Sequence, residues 1–119
     1  MLNVALLLIS IFLNSLAQIF LKSASAYLNS GKDILAVFFD VALSIPFILG
    51  MICYALSIII WVVVLSKIAL SIAYPMQALG YVFGVSMAVL FLKESINLSM
   101  IAGLLFIILG VFILGKNIT

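Results

Sequence analysis

Charge is what this chain has least of. Its 119 residues hold five lysines, no arginine, no histidine and three acids, so charged residues make up only 7% of it. A soluble domain carries about 25%, and no water-facing surface can be built from so few. A net charge of +2 is too weakly basic to point to nucleic acid. With no histidine, one cysteine and three scattered acids, no metal-ligand cluster and no nucleophile–base pair can be drawn. Neither a metal, a cofactor nor an enzymatic activity is therefore expected. The lone Cys53 lies inside an apolar run and reads as a small packing residue.

What is present instead is hydrocarbon. Hydrophobic residues are 69% of the chain and the mean hydropathy is +1.58. Spanning a bilayer core of about 30 Å takes about 20 apolar residues in a helix, and the chain has room for four such segments with short loops. The expectation is an all-α membrane protein with four transmembrane helices at about 2–21, 44–66, 69–92 and 98–114, forming one domain over residues 1–119. Ala24-Ser25-Ala26 has the small-x-small look of a signal-peptide cleavage site. The apolar run before it is too long for such a peptide and has no preceding Lys or Arg, so a retained anchor is expected.

A few polar residues divide the apolar runs. Lys22 is expected to close the first helix, and Ser23 to Asp33 to form a polar loop with its turn at Asn29-Ser30-Gly31. From Ile34 to Ser66 the apolar stretch is too long for one span and too short for two. An aspartate at mid-membrane costs about 2.5–3.5 kcal/mol, which places Asp40 at the interface. Residues of about 34–41 then form a short interfacial amphipathic segment. Pro46 falls in the first turn of the second helix, where its missing N–H is harmless. Pro75 falls one or two turns inside the third and is expected to bend it. With both termini on one side, that side holds Lys67 and Lys116 and the other Lys22, Lys32 and Lys93. Near-balance of this kind fits insertion both ways or an inverted partner, and equally fits a chain with too few charges to show a bias.

The polar side chains within the spans are arranged in faces. Ser10, Asn14, Gln18 and Lys22 recur every four residues in the first helix, so they share one stripe. Groups of this kind need partners in hydrocarbon, which turns the stripe toward protein or a wet cavity. It serves either interhelical hydrogen bonding or contact with a substrate. Ser71, Tyr74, Gln77 and Tyr81 form a second such surface beside Pro75, although Tyr74 also suits an interfacial aromatic belt. Gly50, Tyr54, Ser57 and Trp61 share a face of the second helix and read as helix packing. Gly80, Gly84 and Ala88 in the third helix, with Ser99, Gly103 and Gly110 in the fourth, are smooth contact surfaces.

Several of these residues resemble those of the small multidrug resistance family, in the drug/metabolite transporter superfamily. The likeness lies in four short helices, Lys22 closing the first, Tyr54 in the second and Ile72-Ala73-Tyr74 in the third. It implies an antiparallel dimer. Where the drug exporters carry a glutamate midway along the first helix, this chain has Asn14. In place of their third-helix tryptophan it has Gln77, and in place of Gly-x-Gly it has Leu79-Gly80-Tyr81.

The chain is more similar to the subunits of the 4-amino-4-deoxy-L-arabinose-phosphoundecaprenol flippase. The residues concerned are Gln18 and Lys22, Trp61, the run Ile72-Ala73-Tyr74-Pro75-Met76, and Lys93-Glu94. That resemblance implies flipping of a polyprenyl-phosphate-linked sugar across the bacterial inner (cytoplasmic) membrane, by the chain paired with itself or a homologous small subunit amid membrane lipids. Asn14, Gln18, Lys22, Trp61, Tyr74, Pro75 and Gln77 are then the substrate-facing residues. Export of small cations or polar metabolites, and a non-transporting scaffold subunit, are the alternatives.

Overall fold

The structure is a computed structural model that describes residues 2–29, 31 and 33–117. Ser30 of the expected turn, and Lys32, lie outside the described residues. Among those described there are helices and no strand, and four segments are long and apolar enough to cross a membrane: Leu2–Leu28, Ile45–Leu65, Leu70–Phe91 and Leu98–Gly115.

The first span is α1 (Leu2–Ala24), continued by a 3₁₀ turn over Ser25–Asn29. Lys22 does not end it. Lysine is a good helix former whose long side chain reaches polar surroundings while the backbone continues, so the loop expected from Ser23 is helical as far as Asn29. Next comes α2 (Ile34–Ala42), which buries none of its residues. It is separated from α3 (Ile45–Leu65) by Leu43 and Ser44 alone, and the Ser44 hydroxyl caps α3 by accepting the Phe47 N–H at 3.4 Å. Pro46 occupies the first turn of α3, where no carbonyl waits for its absent N–H.

The third span, expected as one bent helix, is two. α4 (Leu70–Met76) contains Pro75, and α5 (Leu79–Phe91) begins after Gln77 and Ala78. Proline has no N–H to give the carbonyl four residues back, that of Ser71, and its ring crowds it. Across the break the chain tightens into three-residue bonds: Gln77 N–H to Tyr74 C=O (3.0 Å), Ala78 N–H to Pro75 C=O (3.0 Å) and Gly80 N–H to Gln77 C=O (2.8 Å). Such 3₁₀ geometry satisfies donors at a kink where water is scarce. At the far end Lys93 takes a left-handed φ of 56°, which stops α5. Asn97 then caps α6 (Leu98–Gly115) by accepting the Met100 N–H at 2.9 Å.

The described residues extend 52 × 36 × 20 Å, so the bundle is about two helices thick. Its apolar core lies toward one end, where Leu7 and Ile11 of α1 meet Val64 and Ile68, Ala73 and Met76 of α4, and Val111 of α6. Along the rest of its length α1 is held by α3 on one side and α5 on the other. Against α3 the approach is close. A Cβ at Gly50 would lie 3.2 Å from Phe20 Cβ and 3.3 Å from the Ala17 carbonyl oxygen, and the buried Ser10 hydroxyl donates to the Ser57 carbonyl at 3.1 Å. Against α5, the Ser15 hydroxyl lies 3.0 Å from the Gly80 carbonyl and 3.0 Å from its own-helix Ile11 carbonyl.

Candidate functional site

Where the core ends, α1 and the third span part and leave a hollow of about 530 Å³. Its α1 wall is built by Ile11, Asn14, Ser15 and Gln18, and the facing wall by Gln77, Gly80, Tyr81, Gly84 and Val85. The helical repeat explains the first wall, because residues three and four apart share a face. The Pro75 break explains the second, since it turns Gln77 and the start of α5 toward α1. A further hollow of about 630 Å³ lies on the other side of that break, lined by Leu70, Ser71, Tyr74, Pro75, Ala78 and the same Gln77 and Tyr81. Gln77 and Tyr81 thus belong to both, and the two hollows adjoin through them.

The polar groups divide into committed and uncommitted ones. Ser10 and Ser15 are buried and bonded to carbonyls of neighbouring helices, which is a packing role. Gln18 donates from Nε2 to the Tyr54 hydroxyl at 2.5 Å. Asn14 and Gln77 are half-buried, and among the described residues their carboxamides have no hydrogen-bond partner. Each keeps two donors and one acceptor oxygen facing a common space. No acid, histidine or cysteine lines either hollow, and no cluster able to hold a metal is found among the described residues. The arrangement suits hydrogen bonding to a neutral polar group, with aromatic surface from Tyr74 and Tyr81, which are 64% and 66% exposed.

The remaining candidates sit elsewhere. Lys22 is exposed near the end of α1 and lines neither hollow, and its carbonyl accepts the Ser25 hydroxyl at 2.5 Å. About 12 Å of helix, at 1.5 Å per residue, separates it from Asn14. Trp61 packs on the apolar core. Two features were not anticipated from sequence. Tyr54 reaches across to Gln18 rather than only packing. The glycine ladder also splits its roles: a Cβ at Gly80 would meet Ser15 Oγ at 3.2 Å, whereas at Gly84 nothing lies within 4 Å. Gly84 therefore enlarges the hollow instead of bringing helices together. Its spacing of three from Tyr81 and seven from Gln77 was the available signal.

Comparison with known proteins adds an independent line. A probable 4-amino-4-deoxy-L-arabinose-phosphoundecaprenol flippase subunit ArnE of Escherichia coli O81 (strain ED1a) is 37% identical over 70 residues, 59% of this chain and 63% of that protein. A subunit ArnF of the same flippase from Proteus mirabilis (strain HI4320) is 35% identical over 79 residues, 65% of this chain and 59% of the relative. The chain thus spans less than two thirds of the length of these two. An ArnF from Shewanella sediminis (strain HAW-EB3) is 34% identical over 126 residues, covering 94% of this chain and 87% of the relative. No family model and no solved structure matches the chain.

Proposed function

The chain belongs to the family of the ArnE and ArnF flippase subunits, small proteins of the multidrug-resistance type, and from that premise we propose that it moves the headgroup of a polyprenyl-phosphate-linked sugar across the membrane. It is a multi-pass protein of the bacterial inner membrane. The observation that carries the proposal is the pair of uncommitted carboxamides, Asn14 and Gln77, on opposite walls of one hollow. Unbonded amides in hydrocarbon are costly, and a sugar's hydroxyls satisfy both their donors and their acceptors, while a protonated amino group binds their oxygens. Tyr81 and Tyr74 add faces and hydroxyls on which a sugar ring can rest.

The isoprenoid tail stays among the acyl chains, so only the headgroup needs the polar path. The path runs along α1 from Asn14 through Gln18 toward Lys22, whose ammonium pairs with the phosphate at the interface. Because the hollow is open on a bundle two helices thick, a second small subunit, the same or homologous, closes it. α2, with Ile34, Leu35, Phe38 and Phe39 all exposed, lies along the membrane surface. Reconstitution into vesicles with an undecaprenyl-phosphate-linked amino sugar tests the proposal. The expected result is headgroup appearing in the far leaflet with the chain and its partner present. Transport equal to that of protein-free vesicles would overturn it, and activity that survives loss of both Asn14 and Gln77 would make the amides helix packing.

A further inference from the structure

We propose that Tyr54 is a positioning residue, which fixes the Gln18 carboxamide so that the groove meets its ligand with one amide already aligned. The inference rests on the reading of the groove as a headgroup path. Tyr54 lines neither hollow and acts through Gln18 alone.

Three rungs hold α3 against α1. At the first, Gly50 has no Cβ and admits Ala17, Phe20 and Leu21 to within 3.2–3.3 Å of where one would be. At the last, Ser10 donates to the Ser57 carbonyl at 3.1 Å. Tyr54 lies between them, four residues after Gly50 and three before Ser57, and so on the same face. The close approach on both sides fixes the height and rotation of α3 relative to α1. That in turn sets the Tyr54 hydroxyl 2.5 Å from Gln18 Nε2. The hydroxyl is therefore held by packing, and it holds Gln18.

Gln18 is otherwise a mobile group. It is exposed and has three rotatable bonds, so a ligand binding an untethered glutamine must order it first. With one N–H spent on Tyr54, its Oε1 and second N–H remain for a ligand. Asn14 and Gln77, the other amides of the groove, have no such tether among the described residues. Gln18 is thus the fixed reference against which a sugar hydroxyl or amine is placed, and the other two adjust to it. The tether serves affinity and orientation, leaving the rate of movement to the rest of the groove.

Tyr54→Phe removes the hydroxyl and keeps the ring. Two measurements on the full chain in lipid nanodiscs and in vesicles with its partner decide the matter. The first is the side-chain amide NMR signal of Gln18, expected to move in the Tyr54→Phe protein. The second is uptake of an undecaprenyl-phosphate-linked amino sugar. Its half-saturation concentration is expected to rise about 2- to 10-fold in Tyr54→Phe, the worth of one net hydrogen bond, with the maximal rate within about 2-fold. Gln18→Ala, which removes the ligand-facing amide itself, should raise it at least as much, and the double variant should be no worse than Gln18→Ala alone. An unmoved Gln18 amide signal overturns the proposal, and so does a double variant whose losses multiply. If the wild-type protein moves no such lipid, the functional reading fails, while the NMR measurement still decides whether Tyr54 sets Gln18.

Discussion

The first and last spans are built from nearly the same hydrocarbon, yet they do opposite things. α1 has six buried residues, two of them serines, and α6 has one, Val111. The mean hydropathy of their spans is 2.3 and 2.7, too close to explain the difference. What separates them is where the polar atoms lie. Ser10, Ser15 and Gln18 give α1 groups that lipid cannot satisfy and that bond to α3 or α5, so it is drawn between them. α6 is polar only at Ser99, in its first turn, and nothing compels it to be covered. In hydrocarbon, apolar surface is neutral and polar surface organises the bundle, the reverse of the rule in water.

If that contrast is right, the largest effect of any substitution on function should fall on α1 and its facing wall, at groups that do not hold the fold. Replacing Asn14 and Gln77 together by leucine is expected to lower transport about 10-fold or more, the loss of two net hydrogen bonds to the ligand. Stability should hold or rise, because neither amide bonds another described residue and leucine removes two unbonded polar groups. Parallel vesicle transport and unfolding assays would show it, and a matching collapse in stability would assign the amides to packing.

The same contrast shows what the sequence could disclose. A four-residue repeat of polar atoms is visible in any listing of α1, and so is the proline that breaks the third span, because both follow from local geometry. Asp40 could be placed outside the spans, since its cost in hydrocarbon is a property of the residue. What could not be read was which helix each face would meet. The spacing of Gly50, Tyr54 and Ser57 marks one side of α3 without saying that α1 lies against it, so the Tyr54–Gln18 bond was out of reach. Nor could Gly84 be told from Gly80, since whether a missing Cβ makes a contact or a void depends on the neighbouring helix. Lys22 misled because a single lysine does not stop a helix, and α1 continues past it to Ala24.

Stability should respond most at the α1–α3 contact. Gly50→Leu must push aside Phe20, Leu21 and the Ala17 carbonyl, which lie 3.2–3.3 Å from a Cβ, and is expected to cost about 1–3 kcal/mol. Equilibrium unfolding in mixed micelles would measure it. Ser15→Ala comes next. It removes the one side-chain bond from α1 to α5 recorded among the described residues, and interhelical bonds of this kind average about 0.6 kcal/mol with a maximum near 1.7. A result above that range would mean that Ser15 also fixes the angle of the third-span break.

The smallest effect belongs to α6 and tests the other half of the comparison. Gly103 and Gly110 have nothing within 4 Å of a would-be Cβ, so Gly103→Ala and Gly110→Ala should change the stability of the single chain by no more than about 0.5 kcal/mol. The informative measurement is the same substitution read in the assembled protein by crosslinking or by mass in native micelles. A helix that only faces lipid will tolerate the added methyl there too. One that receives a second subunit on its small-residue face will lose association while the isolated chain stays intact, because backbones held close by glycine are separated by the first carbon placed between them.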